Sequence, residues 1–136
     1  EKSETFNMTS WADWVRKEDA KLVPGSKEFI EKIRNRGYQI IFISNRMDER
    51  LEETKNNMKK LNIFSPKDIY LLRKNKQDKK IIRRNEIYNQ TGRMAQYEKF
   101  NVILYMGDAY GDFPKTDLNA FGFNYFIFPN PMYGKW

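Results

Sequence analysis

Cysteine and histidine are both absent from these 136 residues. Without cysteine there is no disulfide and no thiol nucleophile, and the redox compartment stays undetermined. Without histidine there is no Ser-His-Asp triad, no imidazole base and no ordinary zinc site. Any metal must therefore be held by oxygen, which points to Mg²⁺ or Ca²⁺. Acid-base work falls to carboxylates, lysine or tyrosine. No apolar run reaches transmembrane length, and the acidic, polar opening EKSETFN, which lacks an initiator Met, reads neither as a signal peptide nor as a natural beginning. Acids are the minority, 18 against 25 Lys and Arg, for a formal charge of +7 and a pI near 9.5. That balance favours anionic partners such as phosphates, nucleic acid or membrane surfaces, although a merely lysine-rich protein has it too. What is present in quantity is core material. Hydrophobic residues make up 40% and aromatics 15%, enough for one domain or a large part of one.

The chain has no internal repeat and no low-complexity linker. Thr9 or Ser10 can cap a short helix bearing Trp11, Trp14 and Val15. VPGS, residues 23–26, breaks the chain, and Ser26 is expected to cap a helix with Phe29, Ile30 and Ile33 that stops at Gly37. QIIFIS then predicts a buried strand ending at Ser44. Asp48 should cap a helix whose acids (Glu49, Glu52, Glu53) precede its lysines (Lys59, Lys60), in the order the helix dipole favours. Leu51, Met58 and Leu61 would form its buried stripe. IYLL, 69–72, predicts a short strand and 78–89 a helix. NVILYM, an unbroken apolar run, predicts a strand covered on both faces, and NYFIF, 124–128, another. Strands alternating with helices define an α/β class with a parallel sheet flanked by helices.

In such sheets, ligands bind beyond the carboxyl ends of the strands. Ser44 ends one strand and Asp108 another, with Asp112 four residues on, while Lys80 opens the basic helix after IYLL. A hydroxyl and an ammonium can donate to phosphate oxygens, and a carboxylate can hold Mg²⁺ against them. Each group also has a plain explanation. Serine after a strand is ordinary turn chemistry, and RKNKQDKKIIRR reads equally as a solvated basic face. Two acids beside a buried strand are harder to explain without a partner.

Together and in order, FNMTSWADWV, LVPGSKEF, IIFISNR, KKIIRR, LYMGDAYGDF and FPNPMYGKW resemble the class C acid phosphatases of the haloacid dehalogenase (HAD) superfamily, nearly end to end. The resemblance implies a HAD-like (Rossmannoid) parallel sheet flanked by helices with a small cap. It makes 1–136 a single partial phosphatase domain, with 1–22 in the cap region and 23–136 in the core. It also implies roles. Ser44 and Lys80 would be catalytic, the first donating its hydroxyl to the phosphoryl group and the second neutralising charge, with Lys79 as the fallback lysine. Asn45 and Arg46 would shape the phosphate loop. Asp108 would bind Mg²⁺, Asp112 would orient the metal shell, and Arg83 would support the helix edge. Trp11, Trp14 and Tyr133 would line the substrate entrance, where aromatic rings can stack on a nucleoside, although such rings more often pack a core or lid.

One departure matters. The family's D-x-D motif, which supplies the aspartate nucleophile and the general acid, does not occur. Its strand lies at the middle of the family's sheet, so the central first strand is expected to be missing and two strand edges left unpaired. The expectation is a chain forming the larger part of a Mg²⁺-dependent acid phosphatase, inactive alone, whose nucleophile lies upstream or on a companion chain. The substrate implied is a small phosphomonoester, a nucleoside monophosphate among them. The resemblance also implies an extracytoplasmic location, secreted, periplasmic or lipoprotein-anchored, with membrane attachment only through an absent lipid anchor, and it admits an oligomer. Two alternatives stand beside it: a catalytically silent storage or scaffold protein of the same fold, as among plant relatives, and a basic nucleic-acid-binding module. Against the module, the aromatics sit in apolar runs rather than among the basic residues.

Overall fold

In this computed structural model the described residues are 13, 17, 21–114 and 117–128. They divide into two compact units that meet in sequence at Asn75 and Lys76.

In the first unit, helix α1 spans Ser26–Asn35, strand β1 Ile41–Met47, helix α2 Leu51–Lys60 and strand β2 Ile69–Arg73. The cap of α1 is Gly25, not Ser26. At Gly25 φ is 79°, a left-handed turn that glycine enters without strain, and this pushes Ser26 into the first helical position. Gly37, at φ 81°, ends the segment as expected, its N–H donating to the Arg34 carbonyl. Asp48 opens a single 3₁₀ turn, Asp48–Arg50, and no side chain caps α2. The expected stripe on α2 is only half-buried. Thr54 and Asn57 are its buried residues, tolerated because Thr54 Oγ1 donates to the Arg50 carbonyl at 2.8 Å and lies 3.3 Å from Arg46 Nη1.

Strands β1 and β2 pair in parallel: Ile41 with Ile69, Phe42 with Tyr70 and Ile43 with Leu71. The next matched pair is Met47 with Arg73, so the ladder is irregular after Ile43. The strand therefore does not end at Ser44. It runs to Met47, and Ser44 stands where regular pairing breaks. Ile63, Ile69, Leu71 and Leu72 form the buried apolar set. Arg34 ties α1 to the approach of β2, donating to the Ile63 carbonyl at 2.7 Å and to Asp68 at 2.5 Å.

In the second unit, helix α3 spans Lys80–Asn89, strand β3 Tyr105–Gly107 and strand β4 Tyr125–Ile127. The last two also pair in parallel, Tyr105 with Tyr125 through Gly107 with Ile127. NVILYM was expected to be strand throughout and covered on both faces. Only its last two residues pair, and Ile103 and Met106 are 47% and 44% exposed. The reason is the partner, since β4 offers only three residues. Below the strands, Phe113, Ala120 and Tyr125 form a buried cluster, with Phe121 and Tyr105 packed against it. Ring centroids there lie 5.0 to 5.6 Å apart for Phe113–Phe121, Phe113–Tyr125 and Phe121–Tyr125. The parallel pairing in both units and the flanking helices are the α/β arrangement read from the sequence.

Candidate active site

The second unit gathers its polar groups just past β3. The chain leaves the strand at Gly107, passes Asp108 and Ala109, and makes a 3₁₀ turn over Tyr110–Asp112. Phe113 follows at 2% exposure and anchors the turn in the aromatic cluster. That anchor fixes the Asp112 backbone, whose N–H also donates to the Ala109 carbonyl at 2.9 Å. The Asp112 side chain turns back over the strand end. Its Oδ2 accepts the N–H of Asp108 at 3.0 Å and of Ala109 at 3.1 Å, reaching back as an acid three residues into a helical turn commonly does.

The other carboxylate oxygen, Oδ1, pairs with Lys80 Nζ, supplied by the first residue of α3. Both side chains are mostly out of solvent, 22% and 11% exposed. Burial alone would push the Asp112 carboxyl up. The Lys80 hydrogen bond and charge, with the two backbone N–H groups, outweigh it and hold the group below the usual carboxylate range. Removing the lysine leaves a half-buried carboxylate without its cation. Lys80→Met is therefore expected to cost the fold about 2 kcal/mol, measured by urea unfolding at neutral pH.

Gly107 makes this close approach feasible. A Cβ built there would stand 2.6 Å from Asp112 Oδ2 and 2.8 Å from its Cγ. The glycine before Asp108 is thus a packing requirement set by Asp112.

The helix behind Lys80 is braced from two directions. Arg83, fully buried, donates to the Asp78 carbonyl at 3.1 Å, and its Nε lies 3.4 Å from Asp78 Oδ1. Arg93 bridges Asp78 and Glu86, with Nη1 3.1 Å from Asp78 and Nε and Nη2 each 2.8 Å from Glu86. Arg84, 6% exposed, donates to the Gly111 carbonyl at 3.1 Å. The basic run was open to reading as a solvated face, yet both arginines of the RR pair are buried.

Of the expected site residues, the structure brings Lys80, Asp108 and Asp112 together, with Arg83 supporting the entry to α3. Lys79 is exposed and precedes the helix. Ser44, Asn45 and Arg46 lie in the first unit. Ser44 Oγ there accepts the Arg46 N–H at 3.2 Å, and the Asn45 side chain is exposed. Trp11, Trp14 and Tyr133 lie outside the described residues. Sequence reasoning missed Gly107, Asp78, Glu86, Arg84 and Arg93. Only Gly107 carried a signal, its place directly before an acid at a strand end.

As a metal site the set is incomplete. Among the described residues no group of three or more acidic residues is placed to hold an ion. Asp108 offers one carboxylate, and the Asp112 carboxylate is turned to Lys80 and two N–H groups. These residues alone do not make up a Mg²⁺ shell.

Short parallel strand pairs alternating with helices, with a lysine–carboxylate pair and a second aspartate just past the carboxyl end of β3, define an α/β protein. More particularly, the chain belongs to the HAD superfamily, subfamily IIIB (acid phosphatase), whose family model matches residues 1–136. It is similar in structure to the class C acid phosphatase from Bacillus anthracis, with a TM-score of 0.79 and 28% identity over 95% of this chain and 57% of that one. The same bacterium's class C enzyme with tungstate bound superposes with a TM-score of 0.75, at the same identity and coverage. A stem 31 kDa glycoprotein from Glycine max is 27% identical over 135 residues, which are 96% of this chain and 49% of that protein. The chain spans about half the length of the curated relative it matches. Among the described residues no helix is long and apolar enough to cross a membrane.

Proposed function

We propose that the parent protein hydrolyses small phosphomonoesters, nucleoside monophosphates among them, as an extracytoplasmic acid phosphatase. Residues 1–22 belong to its cap and 23–136 to its core. The observation that carries this reading is the turn past β3, where Lys80, Asp112 and Asp108 converge on one strand end. The relative with tungstate bound lends support, because tungstate is a tetrahedral oxyanion of phosphate's shape.

In this reading Ser44 donates its hydroxyl to a phosphoryl oxygen, with Asn45 and Arg46 shaping its loop. Lys80, held in place by Asp112, offsets negative charge on the phosphoryl group. Trp11, Trp14 and Tyr133 contact the leaving group. No two aspartates here stand in D-x-D spacing. The attacking carboxylate therefore comes from a segment outside these 136 residues. Its oxygen bonds to phosphorus as the ester P–O bond breaks, and the second aspartate of that segment protonates the departing alcohol. Water then attacks phosphorus, releasing inorganic phosphate and restoring the carboxylate. Mg²⁺, when bound, neutralises phosphate charge. Asp108 would contribute one of its oxygen ligands and the D-x-D segment others.

The test uses the full-length protein and p-nitrophenyl phosphate. Release of phosphate is expected with Mg²⁺, should stop on chelation with EDTA and return when Mg²⁺ is restored. Asp108→Asn should raise the Mg²⁺ needed for half-maximal rate by about tenfold, as loss of one charged ligand does. A full-length protein that carries the D-x-D segment yet releases no phosphate would sink the enzyme reading in favour of a silent protein of the same fold, such as the stem glycoprotein's name leaves open.

A further inference from the structure

Lys80 and Asp112 are 32 positions apart and sit on different kinds of support. Lys80 rides the first turn of a helix that is well braced at its rear. Asp112 rides a 3₁₀ turn of three residues that is anchored at Phe113 but open toward solvent, since Tyr110 and Gly111 are both exposed. Within the turn, the Asp112 N–H donates to the Ala109 carbonyl at 2.9 Å and the Phe113 N–H to the Tyr110 carbonyl at 3.2 Å, and neither bond reaches α3. Besides the Lys80 pair, a second side chain runs from α3 to this turn. Arg84, one helical turn beyond Lys80 and so on the same face, donates Nη1 to the Gly111 carbonyl at 3.1 Å. Gly111 is the residue immediately before Asp112. Burying a guanidinium to 6% exposure is costly, and solvating one exposed glycine carbonyl does not require it.

We propose that Arg84 is a positioning residue for the Lys80–Asp112 pair, tying the helix that carries the lysine to the turn that carries the aspartate. This inference rests on the phosphatase reading for its effect on catalysis, but not for the tether itself. The tether acts on geometry in two places. It holds Asp112 where Oδ1 meets Lys80, and it holds Oδ2 over the N–H groups of Asp108 and Ala109. With the tether cut, the turn can lift at Gly111, which carries no side chain to pack it down. The distance between ammonium and phosphoryl group would then vary from one turnover to the next.

Two measurements on the full-length protein test this. In the first, amide hydrogen exchange is followed by NMR in wild type and in Arg84→Met, which keeps the length and loses the donors. Exchange at Asp108 and Ala109 is expected to quicken roughly tenfold, while amides in the middle of α3 keep their wild-type rates. In the second, kcat on p-nitrophenyl phosphate should fall by about 100-fold with KM changed less than about threefold, as misplacement of a charge-stabilising group does. Arg84→Lys, which keeps a cation and a donor, should recover most of that loss. On a Lys80→Met background, Arg84→Met should add less than about threefold, because both act through one pair.

Unchanged exchange at Asp108 and Ala109 overturns the tether whatever the activity. So does acceleration spread evenly over the unit, which is what a packing role alone produces, and so does additivity with Lys80→Met. If Arg84→Met does not fold, Arg84→Gln, whose shorter side chain does not reach the Gly111 carbonyl, is read by the same exchange pattern. If wild type itself releases no phosphate, the phosphatase reading falls while the exchange result still decides the tether.

Discussion

Gly107→Ala is expected to remove nearly all phosphate release from the full-length protein, about 100-fold or more in kcat, while Gly111→Ala, four residues on, leaves it unchanged. The contrast comes from what each new methyl group meets. At Gly111 it meets nothing within 4 Å; at Gly107 it would stand 2.6 Å from Asp112 Oδ2 and 2.8 Å from Cγ. Neither side of that contact can retreat. Gly107 is the last ladder residue of β3, paired with Ile127, and its carbonyl accepts the Phe128 N–H at 2.8 Å. Asp112 is held by the buried Phe113 behind it, by its own N–H on the Ala109 carbonyl and by Arg84 on the adjoining Gly111 carbonyl. The carboxylate must therefore swing out, losing Lys80 and the N–H groups of Asp108 and Ala109 together. Overpacking of this kind costs about 1–3 kcal/mol, so the variant should still fold but unfold at lower urea. Steady-state kinetics and urea unfolding of both variants check it. A Gly107→Ala protein with wild-type kcat would show that Asp112 does not need its present place.

The two glycines also mark how far sequence alone reached. The place of Asp108 just past a strand end was legible because a β-branched, aromatic run reads as a strand and the acid follows directly on it. Gly107 was not, because its meaning depends on the return of a side chain five residues later, and no local pattern records that. NVILYM was read too long for a related reason. Hydrophobicity favours burial, but a strand needs a partner of equal length, and β4 pairs over only three residues. Ser26 read as a cap because serine caps many helices. Gly25, entering at positive φ, took that place. Arg83 and Arg84 stood in a run so basic that solvation was the natural alternative. Their partners, the Asp78 and Gly111 carbonyls, are backbone atoms, and backbone acceptors leave no trace in composition. The parallel pairing, by contrast, followed from alternation of strand and helix alone.

An ionic group of Arg93, Asp78 and Glu86 lies behind α3, and Arg93→Met should expose it as a pH-dependent loss of stability. Arg93 spans two carboxylates, Asp78 at 8% side-chain exposure and Glu86 at 16%. Its hydrogen bond to Glu86 is the main influence on that acid. Against the opposing pull of burial, it lowers the Glu86 carboxyl from its ordinary 4.5. The sign then follows. A group whose folded pKa is depressed contributes stability that is present above 4.5 and lost as pH falls through the folded value. Wild type should therefore weaken in acid. In the variant the two acids face each other without Arg93, with Arg83 left on Asp78, so Glu86 is better off protonated. The difference between the proteins is expected to be about 3 kcal/mol near pH 7, the scale for removing one partner of a mostly buried pair. It should shrink steadily below about pH 4.5, as protonation removes the charge that Arg93 was there to meet. Urea unfolding of both proteins at pH 7 and pH 4 reads the gap directly. A gap of the same size at both pH values would mean that Arg93 stabilises by packing its stem rather than by its charge, and that α3 is braced by Arg83 and Arg84 alone.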